Sequence, residues 1–132
     1  MLANLANLAL FQATWFGCTL AAARGWDALA LPVCALHLAL HLRWIAPRRS
    51  EAALLLAVAA FGLVFDSLLT SLGVLAHPAN PARLGLQPLW MLTLWLNFAT
   101  TLNHSLRWLR RRPLLAPALG AIGGAGAYLA GA

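Results

Sequence analysis

The chain has 132 residues, of which 62% are hydrophobic and only 9% charged, with nine arginines against three acidic residues. So few charged groups cannot cover a soluble domain of this size, which excludes an ordinary soluble globular fold. The net charge of +6 would suit nucleic acid, but the arginines lie at the ends of apolar runs, where they meet anionic lipid headgroups, so we expect no binding of nucleic acid.

Five apolar runs of about the length that spans a bilayer follow one another along the chain. They cover residues 2–23, 28–46, 52–76, 89–109 and 114–130. We therefore expect an all-α membrane protein, a bundle of about five transmembrane helices that forms a single polytopic membrane domain over residues 1–132. Seven arginines flank the second and fourth breaks between the runs, and two lie in the other breaks. By the positive-inside rule this distribution predicts a cytoplasmic N-terminus.

Polar residues inside the runs indicate which helix faces point into the bundle, because polar groups in hydrocarbon are costly and usually face the interior. His37 and His41 lie on one face of the second run, since they are four residues apart. At about 1.5 Å per residue, His41 and His104 lie at the same depth from the cytoplasmic end. Asp66 and Asn97 lie deeper, and the sequence predicts that these two side chains meet.

Three functional interpretations of these groups remain open. His37, His41 and His104 have the residue types and spacing of a transition-metal site. Alternatively, His41 and His104 are the axial ligands of a haem held between two helices. In the third interpretation, Asp66, His37 and His104 are catalytic acid–base or proton-relay groups for a substrate in the membrane.

The structural interpretation is that polar groups hold the helices together through hydrogen bonds. We expect this role for six side chains, those of Asn7, Gln12, Asn97, Thr100, Thr101 and Asn103. Asp66 is different, because an ionised carboxylate in hydrocarbon is unfavourable unless it is paired or faces water. It is therefore the strongest single indication of function in the sequence.

The fifth run is rich in glycine and includes Gly120 and Gly124 four residues apart. Small residues at that spacing permit close contact between helices in lipid. The sequence therefore predicts a homo-oligomer that forms through the fifth span, in addition to contacts with membrane lipids.

Several motifs resemble a known family. They are Asn7-x4-Gln12-x2-Trp15-Phe16, Pro88-Leu89-Trp90, Trp95-x2-Phe98 and the run Thr100-Thr101-Leu102-Asn103-His104-Ser105. Together they are similar to a bacterial inner-membrane family catalogued as a domain of unknown function (number 2878). The resemblance covers the whole chain and implies a multi-pass protein of the bacterial inner, or cytoplasmic, membrane. It implies no established activity or cofactor.

The leading hypothesis from the sequence is a membrane-embedded enzyme or accessory protein that acts on a lipidic or other hydrophobic molecule. A haem- or metal-binding membrane protein is the alternative. A small transporter or proton-coupled carrier is a second alternative, although the five runs show no inverted repeat.

Overall fold

The computed structural model of the chain describes residues 2–45, 49–76 and 87–131. These residues form five α-helices and, among themselves, no β-strand. The helices are α1 (Leu2–Ala23), α2 (Asp27–Leu40), α3 (Arg49–Ser71), α4 (Leu89–Leu102) and α5 (Leu115–Gly131). A π-helical turn over His41–Ile45 continues α2, and a 3-10 segment covers Arg107–Arg111. The predicted all-α architecture with five helices is confirmed.

Three of the helices are long and apolar enough to cross a membrane, namely α1, α2 together with its π-helical turn, and α3. The other two, α4 and α5, are apolar but shorter. The loop that the sequence places between the third and fourth runs lies, over residues 77–86, outside the described residues, and so do residues 46–48.

Glycines in left-handed conformation end α1 and α3. Gly25 and Gly73 both have a φ of 72°, which glycine adopts at little cost. After α1, the Trp26 amide donates to the Ala21 carbonyl, and after α3 the Val74 amide donates to the Leu69 carbonyl. These bonds form the Schellman motif, which satisfies the last carbonyls of a helix. The third helix therefore ends at Ser71, before the predicted limit at residue 76.

The fourth helix ends at Leu102, before the limit predicted at residue 109. In its last turn the Thr100 and Thr101 hydroxyls donate to the carbonyls of Asn97 and Phe98, at 2.7 and 2.6 Å. Such back-bonding weakens and bends a helix. The polar residues that follow make hydrogen bonds outside α4, so the chain turns there and continues into the 3-10 segment.

The packing centres on α4, which contacts α1, α2 and α3. In addition, α1 packs against α2, where the buried residues Cys18, Ala30 and Cys34 form a small core. The last helix is attached differently, because α5 contacts mainly the 3-10 segment that precedes it. Most of its described side chains are consequently exposed.

The distribution of polarity is the reverse of that in a soluble protein. Among the described residues, eleven polar or charged ones are buried, against seven hydrophobic ones, and large apolar side chains cover the outer surface, among them Leu2, Leu36, Leu56, Val64 and Leu129. Burying polar groups while exposing leucine is favourable only where the surroundings are apolar. The fold is thus consistent with a membrane protein.

Candidate functional site

Two histidines and a glutamate converge at one end of the bundle. His41 lies in the π-helical turn after α2, Glu51 in the first turn of α3, and His104 in the turn after α4. The chain reverses direction between these helices, so the C-terminal ends of α2 and α4 meet the N-terminal end of α3. We call this group of three residues the His–Glu cluster.

The His–Glu cluster is compact and largely buried. Glu51 Oε1 lies 3.2 Å from His41 Nε2 and 3.4 Å from His104 Nε2. The side chain of His41 is fully buried, that of Glu51 is 6% exposed and that of His104 is 19% exposed. One carboxylate oxygen therefore faces two imidazole nitrogens at a site with little solvent exposure.

A second layer of polar groups fixes the orientation of Glu51. Asn103 Nδ2 donates to Glu51 Oε2 at 2.7 Å, and Arg110 donates to Asn103 Oδ1. Oε2 of Glu51 thus accepts the hydrogen bond from Asn103, and Oε1 remains directed at the two histidines. Arg110 is exposed, so the chain of contacts runs from the buried cluster to the arginine-rich end of the bundle.

The predicted proximity of His41 and His104 is present, with ring centroids 5.1 Å apart. His37 lies next to them, 6.2 Å from His41 between centroids, and also near Asn97. Glu51 was not predicted as a site residue, because it falls in a break between the apolar runs. The sequence does contain an indication that Glu51 could join the two histidines, because the first turn of the third span lies at nearly the same depth as His41 and His104.

The arrangement does not accommodate a haem between His41 and His104. Both imidazoles of a bis-histidine haem point at the iron from opposite faces of the porphyrin. Here the two rings are in edge contact, at an interplanar angle of 84°, and Glu51 Oε1 lies within 3.4 Å of both Nε2 atoms. The space between the two nitrogens suits a single ion, and a macrocycle would overlap the carboxylate.

A separate site surrounds Asp66, which is fully buried in α3. Trp95 Nε1 donates a hydrogen bond of 2.7 Å to Asp66 Oδ2, and the Tyr128 hydroxyl donates to Asp66 Oδ1. Each carboxylate oxygen thus has a partner, one from α4 and one from α5. Neither partner was predicted from the sequence, in which Trp95 and Tyr128 look like ordinary apolar positions of a span.

Asp66 lies on the wall of a cavity of about 620 Å³ between α5 and the rest of the bundle. The wall is mainly apolar and aromatic, with Phe11, Trp15, Trp90, Trp95 and Phe98 on one side. Gly120, Gly123 and Gly124 of α5 form the other side. A Cβ added at any of these glycines would meet no atom of the described residues, so within this chain they widen the cavity and do not mediate close helix packing.

The predicted meeting of Asp66 and Asn97 does not occur. Asn97 Nδ2 donates to the Phe11 carbonyl at 3.0 Å, and Asn97 therefore joins α4 to α1, whereas Asp66 faces the cavity and α5. Nor does any hydrogen bond or ring contact join Asp66 to a histidine among the described residues. The predicted polar groups therefore form two separate sites, the His–Glu cluster and the surroundings of Asp66.

The remaining polar residues make the following contacts. Asn7 donates to the Thr100 carbonyl at 3.0 Å and accepts from the Ser105 hydroxyl at 2.8 Å, so it joins α1 to the end of α4. Thr100 and Thr101 bond within α4, and Asn103 supports Glu51. Gln12 is exposed and makes no such link within the described part of the chain.

Comparison with known proteins gives a family but no activity. No curated protein and no solved structure matches the chain. One family model, described as "Protein of unknown function (DUF2878)", matches residues 4–132, which is nearly the whole chain. The motifs around Asn7 and His104 that resemble this family also supply residues of the bundle interior. The chain belongs to the family of unknown function DUF2878.

Proposed function

We propose that the protein is an integral membrane protein that binds a lipidic molecule in the cavity beneath α5. The apolar outer surface and buried polar interior support insertion into a bilayer. The arginine-rich ends at Arg43, Arg49 and the 3-10 segment support a cytoplasmic N-terminus in the cytoplasmic membrane.

The fully buried Asp66 on the wall of a mainly apolar cavity carries this proposal. Small-molecule sites typically measure roughly 300–1,000 Å³ and combine a hydrophobic lining with a few fixed polar groups. The cavity of about 620 Å³ has that size and that composition. Its apolar lining suits an acyl or prenyl chain, and Asp66 with Tyr128 on its wall suits a polar group of the lipid.

Asp66 and Tyr128 are the polar anchor for that headgroup. A ligand hydroxyl or amine that displaces the Tyr128 hydroxyl would donate to Asp66 Oδ1, while Trp95 continues to hold Oδ2. Displacing Tyr128 would also release a direct tie between α5 and α3, which would let the helix move as the ligand enters. In an enzymatic reaction on the bound lipid, the same pair would give or accept the proton.

The first prediction tests the cavity by filling it. We expect Gly124→Leu to reduce the amount of co-purified lipid several-fold, because Gly124 lines the cavity and a leucine there would project into it. The measurement is mass spectrometry of lipids extracted from protein purified in mild detergent. Ala125→Leu is the control, since Ala125 is exposed on the same helix and lines neither this cavity nor the smaller one beside it, and it should leave bound lipid unchanged.

The same samples test the polar anchor. Asp66→Asn keeps the shape of the side chain but replaces an acceptor oxygen by an amide donor, so it should change which headgroups are retained. Comparing cellular lipids with and without the protein, and with Asp66→Asn, then tests an action on lipid. Equal bound lipid in the Gly124 and Ala125 variants, together with unchanged lipids across the three strains, would overturn the proposal.

A further inference from the structure

We infer that the His–Glu cluster is a binding site for one divalent transition-metal ion of the Zn²⁺ or Fe²⁺ type, with His41, Glu51 and His104 as its protein ligands. The site lies at the arginine-rich end of the bundle and is separate from the cavity lined by Asp66. The inference is therefore independent of the proposed lipid binding.

Distances within the cluster match those around a small metal ion. One ligand atom from each of the three residues lies within 4.8 Å of the others, and the Glu51 oxygen is 3.2 and 3.4 Å from the two Nε2 atoms. Ligand atoms about 2.0–2.2 Å from Zn²⁺ lie roughly 3.3–3.6 Å apart at tetrahedral angles. An ion can therefore be placed among these atoms with only small shifts of the side chains.

The types of ligand favour a transition-metal ion over calcium or magnesium. Two imidazoles and one carboxylate are the ligand set of catalytic zinc sites and of non-haem iron(II) sites, both of which leave a coordination position open. Calcium and magnesium prefer ligand sets made only of oxygen. The His104 side chain is 19% exposed, so the site lies close to the surface of the bundle.

The groups around the cluster support the same conclusion. Carboxylates and imidazoles that bind metals are usually held by hydrogen bonds from a second layer of residues. Asn103 does this for Glu51, and Arg110 in turn donates to Asn103. Asn103 thus acts as a positioning residue, and Oε1 of Glu51 is left directed at the two imidazole nitrogens.

The test is a measurement of metal binding by the full-length chain, purified in detergent through a tag without histidine. We expect close to one equivalent of zinc or iron by elemental analysis, which also identifies the ion. After removal of the metal with a chelator, Co²⁺ should restore binding and give visible d–d absorption. Glu51→Gln and His104→Gln should abolish this spectrum, and Asn103→Ala should weaken affinity by about 10- to 100-fold.

Two control variants make the assignment specific. Asp66→Asn removes the other buried carboxylate and His37→Gln removes the neighbouring histidine, and both should retain one equivalent of metal. Wild-type protein should also show a higher Tm with Zn²⁺ than with chelator, which provides a readout that needs no variant. The inference is overturned if wild type binds no more metal than Glu51→Gln, if its Tm does not respond to Zn²⁺, or if the control variants lose metal equally.

Discussion

At the scale of single residues, the environment of Asp66 depends on a contact between the Trp95 ring and Gly62, a residue without a Cβ. The Trp95 ring lies directly over Gly62, where a Cβ would overlap the indole. Phe61, Phe65 and Phe98 contact the same ring edge-on, with centroids 5.5 to 6.5 Å away. The indole is therefore held in one position, with Nε1 directed at Asp66.

Gly62→Ala should consequently be destabilising although it adds only one methyl group. The methyl group displaces Trp95 and breaks its hydrogen bond to Asp66, and overpacking of this kind typically costs about 1–3 kcal/mol. We expect a lower Tm in detergent and a change in tryptophan fluorescence. Gly126→Ala is the control, because a Cβ at Gly126 meets no described atom and alanine favours helix. Equal Tm values for the two variants would contradict this account of Trp95.

At the scale of helices, α4 organises the molecule although it has only 14 residues. Its length of roughly 21 Å is short for a hydrocarbon core of about 30 Å. It contacts α1, α2 and α3 and therefore has little exposure to lipid. Its turn at the end, which places Asn103 and His104 beside Glu51, is held by Asn7 from α1.

Asn7→Ala should therefore loosen both the contact between α1 and α4 and the His–Glu cluster. Loss of the amide leaves the Thr100 carbonyl and Ser105 without these partners in the interior, which costs about 1–3 kcal/mol. We expect a lower Tm and weaker metal binding in the same sample. Asn4→Ala, at an exposed position of the same helix, is the matched control and should change neither quantity.

At the scale of the whole molecule, the distribution of charge and polarity determines how the chain is oriented in a membrane. The breaks that carry most arginines lie at one end of the bundle, which is also the end that carries the His–Glu cluster. Under the proposed topology this cluster faces the cytoplasm. The oligomer expected through the fifth span stays a prediction.

Labelling of single cysteines tests this topology in a background in which Cys18 and Cys34 are replaced by serine. A membrane-impermeant maleimide should label Trp26→Cys in intact cells, because Trp26 is exposed and lies in the first break, which is outside under the proposed topology. Ser50→Cys, at the start of α3, should react only after the membrane is opened. Both positions are exposed in the structure, so accessibility within the protein does not limit the reaction. The opposite pattern would reverse the orientation, and equal labelling would contradict insertion.

The sequence by itself determined the helical class and the number of helices, because long apolar runs in a chain with so few charges have no other stable arrangement. It also determined that His41 and His104 lie at one depth, since depth follows from the constant rise of a helix. Partners across helices depend on how each helix is rotated and where it ends. The glycine after α3, the back-bonded threonines of α4 and the overlap of Trp95 with Gly62 set those features. Only the tertiary structure therefore decided that Asp66 pairs with Trp95 and Tyr128, and that Glu51 joins the two histidines.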